Sequence, residues 1–364
     1  MPLTAHEVST IANGRVVGDP KQLAQDAKPV HVAESNDLTF ATDRKKLKIA
    51  IGRSPAIVVI PESLAEQIPE ETQTTFIVSN DPQAVVLQSL ARMRPPQPTS
   101  EGSISPHAFM SESAKIGIDA TIHACVHIGD DVVIGDRCVL HPGVVVGAGS
   151  HIGDDVTLHP YVVLFPGVEI GNRVDIQPGV ILGGDGFGYR TTDGQHQRVA
   201  HFGTLKIGDD VDIGALSTFD RAVIGTTVIG DGTKIGNLVA VAHNCELGRH
   251  NLLVSQVGFA GSVTTGEHVV CAGQVGVGDH VHLGDGCTLA AKTGVHRDLP
   301  GGQLYLGAPA APIDQTTKQM MALRKLPELR QTVRSLEKQV AELTAQLEAM
   351  TASDGEGSVE NQAA

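Results

Sequence analysis

The chain has 364 residues, 41 of them glycine, with no tryptophan, aromatics at only 3% and a formal net charge of −14. That charge excludes a general nucleic-acid binder, which needs a basic face. So few rings exclude an aromatic-filled core, leaving Val, Ile, Leu and Ala to supply the apolar load in an architecture that repeats. Five cysteines, odd in number and without a CxxC, read as small, buried, reduced residues of a cytoplasmic protein. There is no basic-then-apolar leader and no apolar run of 18 residues, so no integral membrane segment is expected.

Residues 1–98 read as a small α/β domain. TAHEVSTIANG opens with a capping box, Thr4 to Glu7, and closes on Gly, the pattern of a short helix. LTFA, AIVVI and TFIVS are strand-like runs, and DPQAVVLQSLARM is a helix opened by Asp81 with Pro82 behind it. RPPQPTSEGS breaks every pattern and reads as a linker.

Across 104–308 a strict period of six takes over. Ile116, Ile122, Ile128, Ile134, Leu140, Val146, Ile152, Leu158, Leu164, Ile170, Ile176 and Leu182 lie six apart. After an interruption it resumes at Ile207, Ile213 and Phe219, shifts, and runs from Ile229 to Val295. Six is neither the 3.6 of a helix nor the alternation of a lone strand; it is the hexapeptide repeat of a parallel β-helix, three walls and 18 residues per coil. GGDGFGY (183–189) sits in the interruption with no helix behind it, so it reads as a loop leaving the prism rather than a dinucleotide fingerprint. Beyond the helix-breaking GAPAAPID, residues 313–351 carry Leu326, Leu329, Val333, Leu336, Val340, Leu343 and Leu347, a heptad seam that predicts a coiled-coil helix and an oligomer. Residues 352–364 read as a disordered tail.

Coil arithmetic singles out one histidine. His243 lies two places after the inward Val241, so it faces outward near a corner; 18 residues on stands Gly261, and 36 on stands Asp279 with His280 beside it. Stacking places these groups in one column at about 5 Å per coil. An imidazole beside an unobstructed backbone N–H is a base-plus-oxyanion arrangement. Two other readings stand beside it: a plain surface histidine, one of 16, or a metal ligand gathered with His280 and His282 on a subunit seam, as in a β-helical carbonic anhydrase.

GGDGFGY, FDRA (219–222), DGTKIGNLVAVAHN (231–244) and AGS (260–262), with the three-part organisation, resemble the UDP-3-O-acylglucosamine N-acyltransferases of lipid A biosynthesis over nearly the whole chain. The resemblance implies a left-handed β-helix, a uridine-binding N-terminal domain and a homotrimer with clefts between subunits. It implies transfer of a 3-hydroxyacyl chain from acyl carrier protein to the 2-amino group of UDP-3-O-acyl-glucosamine, with His243 as general base and Gly261 as oxyanion donor. No metal or bound cofactor is expected, because phosphopantetheine arrives on the carrier protein. His280, Asn237, Asn244, Phe187, Tyr189 and Asp220 are implied substrate contacts, and Arg297 and Gly294 donor-side positions, Gly294 at the place of an acyl ruler. The basic residues between Lys318 and Lys338 read either as a solvated helix face or as a docking strip for the acidic carrier.

The chain departs from the family pattern twice. Gly236 stands where an Asp precedes the base by seven residues, which leaves Asp220 as a candidate to orient His243. Phe40 is kept in the uracil-holding segment, but Asp43 and Lys46 replace Asn and Tyr. The rival readings are a non-catalytic hexapeptide scaffold that binds a nucleotide sugar, and the related UDP-N-acetylglucosamine O-acyltransferase, which lacks an N-terminal domain of this size.

Overall fold

A computed structural model describes residues 1–95, 102–307 and 313–356; most of the predicted linker, and the tail beyond 356, lie outside them. The chain divides into two compact units, Met1–Ser100 and Glu101–Ala364.

The first unit is built on a five-stranded sheet in the order Arg15–Val17, Thr75–Val78, Ile57–Ile60, Asp37–Phe40, Asp26–Ala27, antiparallel only at the Arg15–Val17 edge. Its central strands are buried throughout, as continuous apolar runs covered on both faces must be. Helix α1 (Ala5–Ala12) begins at the predicted capping box, with Thr4 and Glu7 exchanging bonds, and ends on Asn13 in the left-handed conformation. Helix α2 (Arg44–Arg53), capped by Asp43, escapes the sequence reading: RKKLKIAIGR buries only Leu47 and Ala50, too little for an apolar stripe. Helix α3 (Pro82–Met93) starts at Asp81 with Pro82 in its first turn, as expected.

The second unit is a left-handed parallel β-helix. Short strands, most of two residues, stack into parallel sheets of ten, ten and nine strands, the three walls of the prism. Each predicted aliphatic from Ile122 to Val295 is buried, and Ile116 packs against the end of the same core. A second inward position, two residues earlier, is filled by smaller groups such as Val126, Val132, Cys138 and Val144; it is less conspicuous because the apolar residue there is rarely larger than valine. Four of the five cysteines are buried as expected, but Cys125 is exposed, because it occupies a turn rather than either inward position. Turns carry left-handed residues three places before the inward aliphatic, including Asn244, Ser262 and His280.

Most coils pair residues 18 apart, as Ile122 with Leu140. Two do not. The coil holding GGDGFGY pairs residues 37 apart, Ile170 with Ile207, and extrudes the exposed hairpin Tyr189–Thr192/Gln195–Arg198. The next pairs residues 22 apart, Phe219 with Val241, which accounts for the register shift in the sequence. Helix α4 (Ile313–Glu356) follows, and its seven seam residues from Leu326 to Leu347 are all exposed on the single chain.

Candidate functional site

One wall carries the chemistry. Its inward residues Phe219, Val241, Phe259, Val277 and Val295 are in register. Two residues beyond each, the wall turns a corner, so Arg221, His243, Gly261, Asp279 and Arg297 form one column. His243 and Gly261 are in close contact. A Cβ built on Gly261 would stand 2.7 Å from His243 Cε1 and 2.9 Å from Nε2, so the imidazole lies over a backbone that only glycine leaves open. Asp279, His280 and Arg297 are exposed further along the column, and the His280 N–H donates to Gly261 O at 3.0 Å.

The Gly261 N–H itself has no acceptor among the described residues. Elsewhere the same hexad position is capped from the next coil: Ile118 N donates to Asp136 Oδ1, Asp136 N to Asp154 Oδ1, and Ala215 N to Asn237 Oδ1. An N–H left free beside an imidazole is what an oxyanion site requires.

His243 is oriented by its neighbour. The Asn244 Oδ1 accepts from Val223 N at 2.9 Å while its Nδ2 donates to Ile224 O at 2.9 Å, which fixes which way the amide faces. That Oδ1 lies 3.2 Å from His243 Nδ1. An amide oxygen only accepts, so Nδ1 carries the hydrogen and Nε2 keeps the lone pair of a base. Asn244 is thus committed to the chain on both sides of its amide. Gly236 belongs to the opposite corner of this wall, where Asn237 caps the Ala215 amide; a carboxylate there would not meet His243 of the same chain. Asp220 makes no side-chain hydrogen bond or ion pair among the described residues. Burial pushes its carboxyl above the ordinary aspartate range, against the opposing pull of His243 and His201.

His201 is the residue the sequence reading missed. It comes from the return limb of the 37-residue coil and is 6% exposed, its ring edge-to-face with His243 at 5.3 Å between centroids. Its Nδ1 lies 3.0 Å from Val199 O and its Nε2 is buried with no partner among the described residues. No 18-residue arithmetic could find it, since its coil is not 18 long.

Beside Asp220 opens a pocket of about 570 Å³, lined by Phe165, Ile181, Gly184, Asp185, Arg198, Thr218, Phe219 and Asp220. Phe187 and Tyr189 pack edge-to-face at 5.1 Å on the extruded loop, outside that lining and exposed. Along the outer face of the wall, Ala240, Gly258, Gly276 and Gly294 stack in register. Gly258 and Gly276 have open space where a Cβ would be, and Gly294 nearly so, leaving a smooth trough of about 14 Å. In the N-terminal unit, Phe40 and Lys46 line a mostly apolar pocket of about 390 Å³ with Lys28, His31, Val86 and Leu90. Asp43 is not part of that lining; its carboxylate caps α2 by accepting from Lys46 N at 2.9 Å, a bond that holds its pKa down. Among the described residues no group of three or more His, Cys, Asp or Glu could hold a metal ion, and no helix is long and apolar enough to cross a membrane.

Residues 113–148 and 149–184 match the family model described as bacterial transferase hexapeptide (six repeats). The UDP-3-O-acylglucosamine N-acyltransferase 1 of Gloeobacter violaceus is 41% identical over 94% of this chain and 97% of its own length. The UDP-3-O-acylglucosamine N-acyltransferase of Desulfotalea psychrophila is 44% identical over 94% of this chain and 98% of its own. A solved structure, the UDP-N-acetylglucosamine acyltransferase from Campylobacter jejuni, matches 62% of this chain and 84% of its own at 20% identity and a TM-score of 0.44. With relatives this similar over almost their whole length, the chain belongs to the UDP-3-O-acylglucosamine N-acyltransferase family.

Proposed function

We propose that this protein is an N-acyltransferase of lipid A biosynthesis, moving a 3-hydroxyacyl chain from acyl carrier protein to the 2-amino group of UDP-3-O-(3-hydroxyacyl)glucosamine. The observation that carries the mechanism is the pairing of His243 with Gly261: an imidazole whose Nδ1–H is held by Asn244, lying against a backbone N–H with no other acceptor. The amine attacks the thioester carbon and a C–N bond forms. The carbonyl electron pair moves onto oxygen, which Gly261 N–H stabilises. His243 Nε2 takes a proton from the attacking nitrogen, and the proton leaves with the phosphopantetheine thiol as the C–S bond breaks. A thioester is already activated, so no covalent enzyme intermediate and no metal are required.

The acyl chain lies along the Ala240–Gly258–Gly276–Gly294 trough, with Arg297 toward the carrier arm and His280 toward the sugar. The pocket of Phe40 and Lys46 takes the uracil end, and Phe40 supplies a stacking face. The working assembly is a cytoplasmic homotrimer, supported by the exposed apolar seam of α4. The basic strip from Lys318 to Lys338 steers the acidic carrier. The test is acyl transfer from 3-hydroxyacyl carrier protein to UDP-3-O-acyl-glucosamine, wild type against His243→Ala. Turnover that falls by about 10²-fold or more in an intact assembly upholds the base; equal rates remove it, and an inactive wild type favours a binding scaffold.

A further inference from the structure

Amine acylation at neutral pH has a step that one base does not cover. A sugar 2-amine is substantially protonated near neutrality, and an ammonium has no lone pair with which to attack. One proton must leave before attack and a second afterwards, and His243 accounts for the second.

Next to His243 stand two further proton acceptors that take no donor among the described residues. His201 Nε2 is buried and unpartnered, and because its Nδ1–H is given to Val199 O, Nε2 presents a lone pair. The Asp220 carboxylate is half enclosed and makes no side-chain hydrogen bond or ion pair among the described residues. Both face Gly186: a Cβ there would stand 2.8 Å from Asp220 Oδ2 and 3.1 Å from His201 Nε2. Gly186 is not in the left-handed conformation, so glycine is needed there for space. The other charged groups around the cluster are already occupied. Arg221 donates to Gly183 O and Pro166 O, and Arg198 pairs with Asp185 at 3.0 Å. A buried acceptor left without a partner costs free energy unless a ligand supplies the donor.

We propose that His201 and Asp220 form the seat of the incoming ammonium group, and that His201 Nε2 removes its first proton. This rests on the N-acyltransferase reading and adds a second catalytic base to it. The ammonium N–H donates to His201 Nε2 and Asp220 Oδ2. One N–H bond breaks, its electron pair stays on nitrogen as the attacking lone pair, and the proton ends on His201, where the Asp220 carboxylate compensates the new charge. The neutral amine then attacks the thioester, and His243 takes the second proton as before. Edge-to-face packing keeps the two imidazoles adjacent, so the amine changes bases without leaving the site.

The experiment compares His201→Gln with wild type in kcat/KM against pH, using UDP-3-O-acyl-glucosamine and a 2-O-amino (alkoxyamine) analogue whose nitrogen is neutral throughout. At pH 6.5 the variant should lose about 10²-fold on the natural acceptor, recover to within about threefold at pH 9, and lose little on the analogue at any pH. Gly186→Ala, which fills the seat, should raise KM for the acceptor and leave KM for the acyl carrier unchanged. A loss that is equal at every pH and with both acceptors means a packing role and overturns the proposal. So does a His201→Gln enzyme that matches wild type. A wild type that fails to acylate the amine at any pH overturns the functional reading itself, which is a different result.

Discussion

Gly261→Ala is the sharpest perturbation this site allows, because the backbone tolerates it and only the imidazole objects. Gly261 is not at positive φ, so alanine adds no backbone strain. The new Cβ would lie 2.7 Å from His243 Cε1, where non-bonded carbons settle at about 3.5–4.0 Å, so the ring must withdraw by roughly 1 Å. Moving it pulls Nδ1 off Asn244 and takes Nε2 away from the amine. A displacement of that size costs about 10²-fold in rate, carried in kcat, since neither substrate loses a binding contact. The fold should hardly notice, with a stability change within about 1 kcal/mol, because a half-buried ring at the end of a side chain swings aside cheaply. Gly273→Ala is the control: it occupies the same place in its hexad, but its Cβ would find its nearest neighbour at an ordinary 3.6 Å. The assay is steady-state acyl transfer with thermal unfolding of each variant alongside. A Gly261→Ala enzyme within about threefold of wild type would refute the claim that the imidazole works from this position.

Four further outcomes are expected. Asn244→Gly removes the clamp on Nδ1 without strain at a left-handed position, and should lower kcat by about 10- to 10²-fold with little change in KM; an unchanged kcat would show that His243 needs no tautomer partner. Gly294→Met projects a side chain into the trough and should shift donor preference to shorter acyl chains, read from competition between carrier proteins loaded with different lengths. His123, His141 and His159 stack at 5.1 Å between successive centroids, and burial, then His159 and His123, hold the His141 pKa down. The unfolded chain therefore binds that proton more readily, so stability is complete above pH 6.5 and falls as pH drops below it, and His141→Gln should flatten the decline in melts between pH 8 and 5.5. Burial pushes the Cys245 and Cys271 thiols up to about 12, so a thiol reagent should label Cys125 first in the native protein and the buried cysteines only on unfolding.

What the sequence could reveal about this site follows from how a β-helix sets register. Coils of 18 carry position into space directly, so His243, Gly261 and Asp279 could be placed in one column from their numbers alone. Gly294 was marked by the family resemblance alone, as the place of an acyl ruler, and nothing in the sequence reading showed that Gly258 and Gly276 continue a trough there. In the N-terminal unit the strands announced themselves as apolar runs, whereas α2 did not, because a lysine-rich helix that buries two residues leaves no periodic trace. Asp43, carried over as a position of the uracil-holding segment, is also the residue whose carboxylate caps that helix.

His201, which the sequence reading missed, and Asp220, which it named without being able to place, come from two of the irregular coils, and that is where the site departs from a bare hexapeptide column. Asp220 stacks at an offset of 22 and His201 arrives from a limb inserted into a coil of 37. No period predicts where either will land. A regular prism can supply only column positions, all pointing away from the axis, and such a surface gives an imidazole one-sided support. Bending the chain out at GGDGFGY and back at His201 brings a second imidazole against His243 from outside the column, and brings Gly186 over Asp220. The interruption in the repeat therefore builds the concave side of the site, and the motif that breaks the period is there for the chemistry. Replacing residues 190–197, the exposed hairpin between Tyr189 and Arg198, with a short Gly-Ser turn separates the two contributions. If the limb through His201 acts as the second wall, the shortened enzyme should keep its melting behaviour and its dependence on His201. Loss of that dependence with activity intact would mean that the column alone suffices.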